Sequence, residues 1–174
     1  DLYHIPNHAK AELVDGELIP MSPTGGLPAF AAAEIFASLR EYARVTKRGH
    51  AFPDNVGFVV RLPRRQSFSP DAAFYVGKLT MRFLEGAPVF AVEVRSEGDY
   101  GSAEESQIAR KRRDYFAAGT LVVWDVDLIG NEVVRVFRAS DPDNPTLYHR
   151  GEIAEAEPAV PGWTMAVDAF FPQE

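Results

Sequence analysis

The chain has 174 residues, 46% hydrophobic and 25% charged, enough for one domain with a real core and too few for two. It has no cysteine, which excludes disulfides and thiolate metal sites, and no apolar run approaches the roughly 18 residues of a membrane helix. A net charge of −7 excludes a simple polycationic nucleic-acid binder. These totals fit a cytoplasmic protein with no membrane partner.

The charge is unevenly spread. Residues 40–65 hold Arg40, Arg44, Lys47, Arg48, Arg61, Arg64 and Arg65 against Glu41 and Asp54, a net of +5, while residues 140–174 carry a net of −6. A local basic surface, with Arg61, Arg64 and Arg65 as its nucleic-acid contacts, can therefore meet phosphates despite the acidic total.

The first predicted element is a hairpin. Glu12-Leu13-Val14 and Glu17-Leu18-Ile19 flank Asp15-Gly16, a pair suited to the positive φ angles of a tight turn. Glu12 and Glu17 are two further acids to follow. His4 and His8 have i, i+4 spacing, but Pro6 stands between them, so no zinc site is expected there. A helix is predicted over 28–46, with Phe30, Ala33, Phe36, Ala37, Leu39 and Ala43 as its apolar stripe and Gly49 as its stop. A strand over 56–62 ends at Pro63. Another, over 69–75, opens on Pro70-Asp71, and a polar connection with one helical turn spans 77–87.

Residues 88–96 read as a buried strand, Pro-Val-Phe-Ala-Val-Glu-Val-Arg-Ser. Side chains alternate between faces, so Glu93 stands where an aliphatic residue is expected. An ionised carboxylate there needs an ion pair, hydrogen bonds or a metal. Pairing with Arg95 is the structural alternative to an active-site role. A second helix is predicted over 102–118, with Ser102 as its cap and Gly119 as its stop. Its inward arc carries Ile108, Ala109, Tyr115 and Phe116, with Arg112 near the middle and Lys111 at the edge. A buried strand over 121–127 pairs antiparallel with one over 133–137. A turn over 141–145 leads to a short strand over 146–149. The acidic segment 151–174 docks on the core through Trp163, Met165, Val167, Phe170 and Phe171.

No nucleophile elbow, phosphate-binding glycine loop or dinucleotide fingerprint occurs. What remains is Asp71 at the start of one strand, Glu93 within the next, Arg95 two residues on, and Lys111 on the following helix. Two carboxylates on neighbouring strands can hold a hard divalent cation with water completing its shell. Such an ion activates a bound water and offsets phosphoryl charge, and a nearby lysine can orient that water.

These residues carry a family resemblance. Pro70-Asp71 with Phe90-Ala91-Val92-Glu93-Val94-Arg95 resembles the Pro-Asp…(Asp/Glu)-x-Lys pattern of restriction-endonuclease-like nucleases. The order Glu12-Leu13-Val14-Asp15-Gly16-Glu17-Leu18, Met21-Ser22-Pro23, Lys111 with Tyr115, Ala118-Gly119 and Val123-Trp124-Asp125-Val126-Asp127 is similar to the Uma-two family of restriction endonucleases, over about residues 11–138. The resemblance implies an α/β fold, a restriction-endonuclease-like core of mixed β-sheet flanked by helices, as a single domain over 1–174. It implies a metal-dependent endonuclease cutting DNA, with Asp71, Glu93 and the Val94 carbonyl holding Mg²⁺ or Mn²⁺. The catalytic set is then Asp71, Glu93, Arg95 and Lys111.

Arg95 stands where the superfamily has lysine. Arginine stays protonated, so it holds a phosphate or pairs with a carboxylate rather than acting as a base. The resemblance moves the lysine's role to Lys111. Pro28 stands where the family often has histidine. A two-fold homodimer would supply one site per DNA strand. The rival readings are a catalytically inactive nuclease-like scaffold serving as a binding or assembly module, and a hydrolase of small phosphate esters.

Overall fold

The computed structural model describes residues 2–4 and 9–174; His8, and with it the His4–His8 spacing, lies outside them. Its centre is a six-stranded mixed sheet in the order β11-β10-β9-β8-β6-β3. The strands are β3 (His50–Phe52), β6 (Ala72–Tyr75), β8 (Phe90–Val94), β9 (Val122–Val126), β10 (Val134–Arg138) and β11 (Asp141–Tyr148). Only β8 and β9 are parallel; every other neighbour is antiparallel. Parallel neighbours need a crossover, and α2 (Ser102–Ala117) supplies it. Before the sheet come the hairpin β1 (Ala11–Val14) and β2 (Glu17–Pro20), then helix α1 (Gly26–Thr46). A small sheet joins β4 (Phe58–Val59) to β5 (Ser67–Phe68) and β7 (Leu84–Glu85), and a last hairpin pairs β12 (Ile153–Glu155) with β13 (Thr164–Ala166).

The central strand buries both its faces, as its near-continuous apolar run requires. Phe90, Val92 and Val94 pack with Ala31, Ile35 and Leu39 of α1 and with Trp124, Trp163 and Phe170. Ala91, on the opposite face, packs with Phe58, Phe68, Tyr115 and Val123. Phe68 and Tyr115 stack with ring centres 4.0 Å apart, which ties the small sheet to α2. Side chains of the C-terminal segment 151–174 reach the core, with Phe171 half-buried. Trp163, Met165, Val167 and Phe170 are buried, and the Trp163 indole N–H donates to Ser38 Oγ at 3.0 Å.

The first hairpin turns where Asp15 and Gly16 take φ of 51° and 78°. Elsewhere the structure corrects the sequence reading. The buried face of α1 is Ala31, Ala32, Ile35 and Leu39, while Phe30, Ala33 and Ala37 face solvent. The two alanine-rich arcs differ little in hydrophobicity, and packing selects between them. Gly101, at φ 124°, precedes α2 in place of a Ser102 cap. The 77–87 connection carries no helical turn; instead β7 pairs parallel with β4, which is itself only two residues long. The last turn lies at Ala139-Ser140, because Arg138 already pairs with Asp141, and the register then jumps to Val136 with Thr146. Residues 142–145 bulge out of an edge strand, where Pro142 and Pro145 cost no ladder bond.

Candidate active site

Strand direction assembles the site. Because β6 and β8 are antiparallel, the start of β6 lies beside the end of β8. Asp71, one residue before β6, donates its N–H to the Val92 carbonyl at 3.0 Å. Its Oδ2 accepts the Val94 N–H at 2.7 Å. A residue's N–H and C=O point to the same side of an extended strand, so the Val94 carbonyl faces the Asp71 side as well. In that register Asp71 lies opposite Glu93, and the two share the sheet face covered by α2.

Lys111 reaches in from α2. Its Nζ lies 2.8 Å from Glu93 Oε1 and 2.8 Å from Glu12 Oε1. Tyr115, one turn later, donates its hydroxyl to Glu93 Oε1 at 2.6 Å. Lys111 and Tyr115 are i and i+4, so they share a face and converge on one carboxylate. The periodicity of α2 turns Arg112 inward as well, and the structure separates the two cations. Arg112 lies over the Phe137 ring at 3.6 Å, away from Glu93.

Glu12 arrives through the docked hairpin. The Leu13 N–H donates to Ser67 Oγ at 2.8 Å, and the Gln66 N–H donates to the Leu13 carbonyl at 2.9 Å. Glu12 is buried and fully engaged. Besides Lys111 it accepts Arg65 Nη1 at 2.7 Å and the Ser69 N–H at 2.8 Å. Arg65 in turn donates to Asp114 Oδ2 of α2 at 2.9 Å and lies over Phe68. A clasp of Glu12, Arg65 and Asp114 thus locks hairpin, small sheet and helix around Lys111.

Three residues are placed otherwise than the sequence suggests: Arg95, Arg65 and Glu17. Arg95 is only 5% exposed and makes no pair with Glu93. Its Nε and Nη2 fork onto Asp125 at 2.8 and 2.7 Å, and it also binds Glu105. The fork holds the guanidinium on Asp125, so the Glu93–Arg95 pairing expected as the structural alternative is not made. Arg65, at 6% exposure, cannot be a surface phosphate contact. Arg64 is exposed and bonds Asp15 at 3.0 and 3.1 Å, and Arg61 is exposed. Glu17 sits in β2 with its side chain in solvent, apart from Glu12.

Sequence reasoning misses Lys10. Its Nζ lies 3.2 Å from Asp71 Oδ1 and 2.5 Å from Asp54 Oδ1. Strand alternation carries Lys10 to the same side as Glu12, two residues on, and that spacing is the available signal. The sequence reading gives Tyr115 a packing role and a place beside Lys111 in the family pattern, but not its bond to Glu93.

The electrostatics follow from this crowding. Burial pushes the Glu93 carboxyl up to about 7; Lys111 opposes this, while the charges of Asp71 and Glu12 add to it. Burial would raise Glu12 as well, but Lys111, Arg65 and the Ser69 N–H hold it down at about 2. Burial works against the Lys111 ammonium, yet Glu12 and Glu93 outweigh it and raise its value. Burial, then Glu93, keeps the Tyr115 hydroxyl protonated well above its usual range.

Among the described residues no three His, Asp or Glu side chains converge as a ready metal cage. Asp71, Glu93 and the Val94 carbonyl are the oxygens here that could hold Mg²⁺ or Mn²⁺, ions that bind through one or two carboxylates and keep several waters.

A sequence model of the Uma2 family, described as "Putative restriction endonuclease", matches residues 1–168. A solved structure titled a putative nuclease belonging to DUF820, from Anabaena variabilis, superposes with a TM-score of 0.74 at 16% identity, over 92% of this chain and 89% of that one. At that identity the likeness establishes the fold. No curated protein matches.

Proposed function

Because the chain belongs to the Uma2 family of restriction endonucleases, we propose that it is a metal-dependent endonuclease hydrolysing DNA phosphodiester bonds at the Asp71–Glu93–Lys111 site. One observation carries this reading: a lysine from the crossover helix bridges two acids, Glu12 and Glu93, where the Asp71 end of β6 meets the end of β8. Asp71, Glu93 and the Val94 carbonyl would hold Mg²⁺ or Mn²⁺, which when bound supplies an activated water and charge for the phosphoryl oxygens.

The protein's own groups do the rest. Glu12 and Glu93 hold the Lys111 ammonium in place and charged. Of its three donors, the one left over can orient the attacking water or bind a phosphoryl oxygen. Tyr115 fixes Glu93 through Oε1, the oxygen that Lys111 also contacts. Arg61 and Arg64 are the DNA contacts that remain from the sequence reading. A two-fold dimer would offer one site to each strand.

The test is plasmid nicking. Supercoiled DNA is incubated with Mg²⁺ or Mn²⁺ and wild type, Asp71→Ala or Glu93→Ala. Nicking by wild type alone is the expected result. Equal nicking by all three exposes a contaminant, and none by any overturns the enzyme. The alternative, an inactive scaffold used for binding or assembly, draws on a specific feature: both carboxylates already have ammonium partners. Silence in the same assay, with the fold intact, favours it.

A further inference from the structure

We infer that Lys10 is a resident cation of the metal site, an ammonium seated on the ion-binding oxygen of Asp71 that an arriving divalent ion displaces onto Asp54. The inference rests on the reading of Asp71 as an ion ligand and adds a residue that competes for it.

Asp71 has two carboxylate oxygens with different duties. Oδ2 accepts the Val94 N–H at 2.7 Å, which fixes the carboxylate on the end of β8. Oδ1 has Lys10 as its partner, with Nζ at 3.2 Å. An ion held through Asp71 therefore meets Lys10 at Oδ1, the oxygen no backbone donor engages. Two positive charges a few ångströms apart on one oxygen repel strongly, so the ammonium has to leave.

Lys10 has somewhere to go. Its shorter contact, at 2.5 Å, is to Asp54 Oδ1, not to Asp71. The Lys10 side chain is 12% exposed, whereas that of Asp54 is 43% exposed and opens the exit to solvent. Withdrawal thus breaks the longer bond and keeps the shorter. In the ion-free protein the same ammonium offsets the crowding of Asp71 against Glu93, whose charge it also senses. The two lysines then behave differently when the ion arrives. Lys111 holds Glu93 and Glu12 throughout, and Lys10 yields.

The decisive experiment is calorimetric titration of the ion-free full chain with Mg²⁺, on wild type, Lys10→Met and Asp71→Asn. A charge-assisted hydrogen bond contributes about 1.5 kcal/mol or more, so relieving the competition should tighten Mg²⁺ binding about tenfold in Lys10→Met. The ¹⁵N resonance of the Lys10 ammonium, identified by its absence in Lys10→Arg, should shift during the wild-type titration with the midpoint that calorimetry gives. That second readout separates displacement from a through-space charge effect, which would tighten binding without moving the ammonium. Mg²⁺ binding abolished by Asp71→Asn but unaltered by Lys10→Met, or a Lys10 resonance unmoved at saturation, overturns the inference and leaves the endonuclease reading standing. Binding that persists in Asp71→Asn, or none in wild type and Lys10→Met alike, overturns the metal site itself and the inference with it.

Discussion

At the scale of single residues, Lys111 and not Arg95 is the cation that contacts Glu93. Arg95 sits two residues beyond the strand glutamate, yet its fork is closed on Asp125. Removing one partner of a buried ion pair strands the other and costs about 3–5 kcal/mol. Arg95→Met should therefore lower the urea midpoint sharply while the folded fraction still nicks DNA. An unchanged midpoint with lost nicking would return Arg95 to the chemistry. Glu12 makes a pH prediction. Its folded-state value is depressed from 4.5 to about 2, so its contribution is fully present above 4.5 and is lost as pH falls toward 2. Over that window the ion-free protein should lose roughly 3 kcal/mol from this group, by about 1.36 kcal/mol per unit. Glu12→Gln should be less stable at neutral pH, with a flatter acid limb in denaturation curves taken between pH 5 and pH 2.

Elements set the geometry that individual side chains exploit. The crossover helix α2 spans from β8 to β9 and lays Lys111 and Tyr115 against Glu93, while Arg112 on the same face finds Phe137 instead. Hairpin β1–β2 has no large core of its own. It is held by main-chain bonds to residues 64–66 and by the Glu12–Arg65 pair. The link from α1 to β3 depends on one glycine. Gly49 has φ of 107°, and a Cβ there would lie 2.8 Å from both Phe74 Cε1 and the Tyr75 carbonyl oxygen. Since Tyr75 pairs with His50 at the sheet edge, neither neighbour can yield cheaply. Gly49→Ala should cost on the order of 2 kcal/mol or more, from the positive φ together with the clash. A thermal melt within a degree or two of wild type would show that β3 re-forms around it.

For the whole molecule, the basic segment 40–65 divides between paired or buried cations and exposed ones, Arg40, Lys47, Arg48 and Arg61. Of the cations between 40 and 65, Arg44 bonds Glu41, Arg64 bonds Asp15 and Arg65 is buried. The acidic C-terminal segment covers the sheet face opposite α2, with Trp163 and Phe170 in the core and Arg138 bonded to Glu155. No helix among the described residues is long and apolar enough to cross a membrane. On the proposed reading, DNA meets exposed arginines such as Arg61 and Arg64. Exposed ion pairs contribute only about 0–1 kcal/mol, so Arg64 can exchange Asp15 for a phosphate. Reversing both Arg61 and Arg64 to Glu should weaken DNA binding and reduce the slope of log affinity against log salt by about two. Fluorescence anisotropy across a salt series measures this, and an unaltered slope would place the contact on another surface.

The first hairpin, both helices, the strands β6, β8, β9 and β10, and a carboxylate inside the apolar β8 were legible from the chain alone, whereas β3, β5, β7, β12 and β13 were not. Alternation, turn chemistry and a carboxylate inside an apolar strand are local signals, and they survive folding because burial enforces them. The solvent-facing side of α1, the bulge at 142–145 and the pairing of β4 with β7 were not legible, since each is settled by what another segment covers. The same holds within the site. Sequence places Arg95 beside Glu93 and Lys10 beside nothing in particular. Only the packed structure decides that Asp125 takes the arginine and Asp71 takes the lysine, because a buried charge goes to the nearest opposite charge in space, and chain distance does not measure that.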